Sequence, residues 1–335
     1  MTSKIYQNKD PLKHDTCDTY NKNVIWVPQN QITNSLPKTF VKDGVEIDYH
    51  TGDAKLKRDN FTLYINQYSS LTVKELRASF HRMIDIILIK FSEGFNHEKT
   101  IKVALRDYIK ICGLDSIKEA RKQLNTDLEI FFRCSVSYQS PKGIKSCNYS
   151  EMRLCQDYDI ENSLIYVTLG DKFYNMLISK SMSRMLIPIV ILQCNFRKNP
   201  NSFFLGRKLS EYYRANFNKN HNNVIAVKSL LKCCPQLKNW EKSTQKKRDI
   251  LQAFERDLAF LEEQIGWHYC RAKGEELNEE ENENIANDDF PTFINLYIKY
   301  NFTEEYKDLM KANIKPINQK ALRNNARKKF KRKKK

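Results

Sequence analysis

The chain has 335 residues, 41% of them hydrophobic and 11% aromatic, which is enough for two domains with cores of ordinary size. Lys and Arg number 57 against 40 Asp and Glu, a net charge of +17 that suits a polyanionic partner. Lys320–Lys335 holds ten basic and no acidic residues, and Glu275–Asp289 holds eight acidic and no basic ones; with both set aside +15 remains, so the body itself is basic. Nine cysteines without paired spacing argue against a disulfide scaffold and for buried free thiols in a reducing compartment. The N-terminus has no apolar signal region and no apolar run reaches membrane-spanning length, so a cytoplasmic protein without membrane contact is expected.

Residues 1–70 show little periodicity beyond two strand-like stretches, Val24–Val27 and Phe61–Ile65, and read as an N-terminal arm packed on the first domain. A helix follows over Thr72–Phe91, with Leu76, Phe80, Met83, Ile84, Ile87 and Phe91 in one stripe and Thr72 with Glu75 as a capping box. Thr100–Val103 is a short strand, Leu105–Cys112 a short helix, and Gly113-Leu114-Asp115 a tight turn. Ser116–Phe132 is then a longer helix capped by Ser116. Its buried stripe is Ile117, Ala120, Leu124, Leu128 and Phe131; Lys118, Lys122, Asn125 and Glu129 face outward with Arg121 at the edge. The alternating Cys134–Tyr138, the basic turn at Pro141–Lys145 and the apolar Ser163–Leu169 supply a hairpin. Helix, turn, helix and hairpin is the order of a winged helix-turn-helix, which lays its second helix in a DNA major groove. Lys142 and Lys145 would hold phosphates from the wing.

The same order recurs downstream. Asp171–Cys194 is helical in pattern with a break near Ser179–Ser183 or a kink ahead of Pro188, and Phe203–Asn216 is amphipathic. Val224–Ala226 is a short strand and Val227–Cys234 a short helix. A long helix runs from a Ser243 or Thr244 cap to about Gln264. Ile250, Phe254, Leu258 and Leu261 form its buried stripe. Gln245, Arg248, Gln252 and Arg256 lie opposite, and Arg and Gln suit bidentate contacts with guanine and adenine. Trp267–Cys270 and Thr292–Tyr300 are strands on either side of the acidic stretch, expected as a solvated, mobile loop. The expected fold is mainly α with small β-hairpins (α+β): two tandem winged helix-turn-helix domains at 71–181 and 182–300. The second carries an acidic insertion at 275–289, and a C-terminal segment at 301–335 ends in a disordered basic tail.

Catalytic readings find little support. No G-x-x-x-x-G-K-[ST] phosphate loop occurs among nine glycines, and Gly206-Arg207-Lys208 lacks the rest of that motif. Tyr212-Tyr213 could serve a rolling-circle nickase, but that chemistry needs clustered histidine ligands, and the six histidines stand apart. Cys147 and Cys155 have no histidine near enough for a zinc knuckle. The expectation is a binding protein, not an enzyme, with no cofactor and no metal.

Four segments resemble replication initiators of plasmids and mobile elements from low-GC Gram-positive bacteria: Lys118–Leu128, Asn199–Lys208, Val227–Leu231 and Phe254–Leu258. The resemblance implies a protein of tandem winged-helix type that binds repeated origin sites in double-stranded DNA and helps melt adjacent AT-rich DNA. It also implies recruitment of host initiator and helicase-loading proteins, and autorepression as a homodimer. Carried over by matching positions, the DNA-reading residues are Lys118, Arg121, Lys122 and Asn125, and then Arg248, Gln252 and Arg256. A winged-helix transcriptional regulator or partition protein shares every one of these features.

Overall fold

A buried apolar stripe needs a partner, and here the partners are small sheets as well as helices. The computed structural model describes residues 23–29, 33, 36, 46–58, 61–71, 78–93, 98–139, 149–178, 183–217, 219–221 and 223–313. The fold is α+β. Its strands begin with β1 (Val24–Gln29), β2 (Glu46–Ile47), β3 (Ala54–Arg58) and β4 (Phe61–Ile65), followed by α1 (Ala78–Glu93) and β5 (Thr100–Ala104). Next come α2 (Leu105–Cys112), α3 (Ile117–Arg133), β6 (Cys134–Tyr138), β7 (Tyr149–Arg153), β8 (Cys155–Glu161) and β9 (Leu164–Leu169). α4 (Asp171–Ile178) and β10 (Ser183–Pro188) lead to the second half.

The N-terminal arm carries more strand than expected: β2, β3 and β4 join β6 and β7 in one five-stranded sheet, order β2-β3-β4-β6-β7. β1 reaches further and pairs antiparallel with β10, Val24 opposite Pro188. Helix therefore ends at Ile178, and Met185–Ile187, buried and apolar, are strand and not the continuation of a helix. The capping box expected of Thr72 and Glu75, with Leu76, lies outside the described residues, as does the tail from Lys320.

The second half holds α5 (Ser202–Asn216), β11 (Val224–Ala226), α6 (Val227–Leu231), a π-helical turn (Lys247–Gln252) running into α7 (Ala253–Ala259), and β12 (Ile265–Cys270). It continues with α8 (Glu279–Ala286), α9 (Phe290–Asn295), β13 (Tyr297–Phe302) and α10 (Glu304–Asn313). Strand order is β5-β9-β8 in the first half and β11-β13-β12 in the second, so the same three-stranded arrangement occurs twice. Ala104 pairs with Leu164 and Ala226 with Tyr297, each at the step into a short helix. Each half carries Ser-Phe in its first helix, at Ser79-Phe80 and Ser202-Phe203, and bonds that serine to the long helix. Ser79 Oγ donates to Asp127 Oδ1 at 3.1 Å, and Ser202 Oγ donates to the carbonyl of Asp257 at 2.7 Å. Asp127-Leu128 and Asp257-Leu258 are thus equivalent positions, which the weak sequence likeness of the halves conceals.

The halves meet across α1 and α5. Arg207 on α5 pairs with Asp85 on α1, both nearly fully buried. Arg82 Nη1 donates to the carbonyls of Cys112 (3.3 Å), Leu192 (3.1 Å) and Cys194 (3.3 Å), while its guanidinium lies over Phe196. Gly206 lets α5 approach this joint, since a Cβ there would stand 2.6 Å from Ile191 Cγ1.

His81 packs in the same joint among Phe80, Phe203 and Phe204. Burial, reinforced by the Arg207 charge, holds its pKa well below the ordinary 6.5. A histidine held neutral contributes stability that is complete above pH 6.5 and is lost as pH falls below it, by up to about 1.4 kcal/mol per pH unit. Asp85, whose carboxyl burial pushes up against the pull of Arg207, acts in the opposite sense at lower pH. Denaturation at about pH 7.5 and about pH 5.5 should therefore show a loss in wild type that His81→Leu lacks; equal losses would place the titrating group elsewhere.

Candidate nucleic-acid interface

α3 owes its placement to local chemistry that the sequence announces. Gly113 adopts φ 58°, ending α2 in a left-handed turn, and Ser116 caps α3 by accepting the Glu119 amide at 3.3 Å. Ala120, Leu124, Leu128 and Phe131 are buried as the periodicity requires. Ile117 is not: it is 61% exposed, because the first turn of α3 projects beyond the core that begins at Ala120.

Lys118, Arg121, Lys122 and Asn125 are all exposed and share the outward side of α3. Lys118 and Lys122 have no carboxylate partner among the described residues, and Arg121 Nη2 meets only the Ser163 hydroxyl, at 3.4 Å. A cationic face without internal neutralisation is open to phosphate and base oxygens.

The hairpin beside this helix differs from the expected one. β6 pairs with β4 and β7, so Cys134–Tyr138 belongs to the five-stranded sheet. The hairpin next to α3 is β8–β9, turning at Asn162-Ser163, both at positive φ. Lys142 and Lys145 lie outside the described residues, in the connection between β6 and β7, and are not its turn. Its outer strand carries exposed Asp157, Asp159 and Glu161, which repel phosphate.

In the second half the long helix starts with a π-turn, which buries the adjacent Ile250 and Leu251 together, and α7 ends at Ala259. Ser243 Oγ accepts the Gln245 amide at 3.2 Å just before the turn. Gln245, Arg248, Gln252 and Arg256 are exposed, but three of them are engaged by carboxylates. Arg248 Nε meets Asp249 Oδ1 at 2.9 Å, an exposed contact that opposes little when the arginine moves. Arg256 Nε meets Asp257 Oδ1 at 3.2 Å. Asp257 is itself immobile, fully buried and bonded by the Asn201 backbone amide (2.9 Å) and side-chain amide (2.8 Å). It therefore orients Arg256 and leaves the rest of the guanidinium to project outward.

Gln252 Nε2 donates to Asp288 Oδ2 at 3.4 Å, and Lys247 Nζ reaches the same oxygen at 2.8 Å. The acidic segment is therefore no open loop. Asn278 and Glu281 form a capping box on α8, Arg271 holds Glu281 at 2.8 Å, and Phe293 of α9 is buried against Phe254 and Tyr269. The strand expected from Thr292 starts at Tyr297, after α9. A hydrogen bond from Lys247 holds the Asp288 carboxyl below its ordinary range, so this carboxylate is charged at neutral pH. Neither Lys247 nor Asp288 was singled out by periodicity, although Lys246-Lys247-Arg248 is a visible basic run. Asp288→Asn should raise affinity for any duplex by less than about fivefold and steepen its salt dependence; an unchanged or weaker affinity would show that Asp288 does not mask this helix.

Among the described residues no three His, Cys, Asp or Glu side chains are placed to hold a metal ion, and no helix is long and apolar enough to cross a membrane. Tyr213 is buried in an aromatic cluster with Phe217, Tyr300, Phe302 and Tyr306, and Tyr212 is half-buried. The described cysteines are free, and all but Cys233 are buried.

A crystal structure of domains 2 and 3 of RctB is similar at a TM-score of 0.43 and 10% identity, covering 79% of this chain and 97% of that one. A comparison with curated proteins finds no match. Residues 56–188, from β3 to β10 and including the exposed cationic helix, match the family model described as Initiator Replication protein, WH1.

Proposed function

We propose that the chain is a non-enzymatic, sequence-specific double-stranded DNA-binding protein that initiates replication of a plasmid or other mobile element in the cytoplasm. The observation that carries this is the cationic face of α3, without a carboxylate partner among the described residues, inside the segment that matches the initiator family. The repeated arrangement supports two winged-helix units, with α3 and the Lys247–Ala259 helix as recognition helices in successive major grooves. Lys118, Arg121, Lys122 and Asn125 would read one half-site, and Gln245, Arg248, Gln252 and Arg256 the other. Acids on both hairpins favour grip by the helices and not by the wings. The core packing of Tyr213 supports binding over strand nicking. Origin repeats, melting of neighbouring AT-rich DNA, autorepression as a homodimer and contact with host initiator or helicase-loading proteins complete the proposal.

The test is binding of Arg248→Ala/Arg256→Ala to a duplex selected by wild type and to a scrambled one. Specific binding should weaken by about 1–3 kcal/mol per lost base contact while scrambled binding changes little. Equal losses on both duplexes would remove these residues from base reading.

A further inference from the structure

Three large hydrophobic side chains are strongly exposed among the described residues: Tyr49, Ile117 and Ile178. Only Ile117 lies on a cationic helix. It is the first residue of α3, next to Lys118 and one helical turn from Arg121, with Ser116 capping immediately before it. Single exposed apolar residues are common, and most mean nothing. This one stands where a major-groove helix presents its N-terminal side chains to base edges. Counting back from the match of Asp127 with Asp257, the second half has lysine at this place, Lys247 or, allowing for the π-turn, Lys246, so an apolar group here is not a requirement of the fold.

Major-groove edges offer one apolar feature, the C5-methyl of thymine. Resting on the DNA-binding reading above, we infer that Ile117 is a specificity-determining residue that packs on a thymine methyl in the half-site read by α3. The flanking cations hold the helix in the groove through phosphates and polar base edges; Ile117 supplies what they cannot, discrimination of thymine from cytosine. The branched side chain of Ile117, fixed at the start of a capped helix, loses little freedom when it makes that contact. The second recognition helix, with lysine at this position, should show no such preference.

The experiment uses the full-length protein and a random duplex pool. Wild type selects its duplex, which is then synthesised with thymidine throughout and with deoxyuridine at single positions. Uracil at the position read by Ile117 should weaken wild-type binding about fourfold, the value of one buried methyl. Ile117→Ala should bind the thymidine duplex more weakly by at least that factor and show no difference between thymine and uracil there. Ile117→Leu, which keeps an apolar contact, should retain sensitivity. If uracil costs wild type nothing, or costs Ile117→Ala as much as wild type, Ile117 does not read thymine and this inference alone falls. If wild type selects no sequence from the pool, the DNA-reading proposal falls with it. Because Ile117 is exposed, circular dichroism of the variant should match wild type; a lost fold would instead show that Ile117 is structural and would overturn the assignment.

Discussion

Arg207→Ala is expected to cost the fold about 3–5 kcal/mol, the range for breaking one partner out of a buried ion pair. Arg207 and Asp85 are 8% and 4% exposed, so the carboxylate left behind has no water to replace its partner. Desolvation already pushes the Asp85 pKa up even with Arg207 present; without it the carboxyl would be forced to protonate. The loss would not be confined to one half, because the pair joins α1 to α5, the first helices of the two repeated arrangements. Arg82 ties the same joint, bonding the end of α2 and the 192–194 segment. Urea denaturation measures the cost. A joint apolar replacement, Asp85→Leu with Arg207→Met, should recover most of it, since similar volume without charge is often neutral or better. A cost below about 1 kcal/mol for Arg207→Ala would mean that the joint is hydrated and does not set the spacing of the two long helices.

The second large effect is expected in DNA affinity. Lys118→Ala with Arg121→Ala and Lys122→Ala removes the three exposed cations of α3, none of which meets a carboxylate among the described residues. Each lost base contact is worth about 1–3 kcal/mol, and each lost phosphate contact reduces the salt slope by about 0.9. The triple variant should therefore lose affinity on the order of a hundredfold or more, against a smaller loss for Arg248→Ala/Arg256→Ala, whose arginines are already met by Asp249 and Asp257. Titration of a selected duplex at several salt concentrations decides it. Equal losses from the two helices would contradict the asymmetry drawn from these ion pairs.

The parts of this fold legible in the sequence are those set within a few residues. The Ser116 cap, the left-handed Gly113, the α3 stripe from Ala120 onward and the twice-repeated element order all follow from local chemistry. What was hidden depends on distant partners. Cys134–Tyr138 alternates as a hairpin strand would, and nothing local says that it pairs with Phe61–Ile65, more than sixty residues earlier. Met185–Ile187 is apolar enough for helix or strand, and β1 decides between them. Periodicity put Ile117 in the buried stripe, but periodicity is blind to where the core ends. The acidic stretch shows its charge and not its docking, which rests on Phe293 and on Asp288 meeting Lys247. In the candidate interface the exposed cations were readable from helical phase, whereas the carboxylates that engage Arg248 and Arg256 were not.

Footprinting of the purified protein on DNA flanking its own gene, with a probe for unpaired bases, tests the central claim most directly. The account predicts protection of several short direct repeats beside an AT-rich tract whose bases become reactive. A single protected palindrome over a promoter, with the duplex closed throughout, would contradict an initiator and indicate a transcriptional regulator.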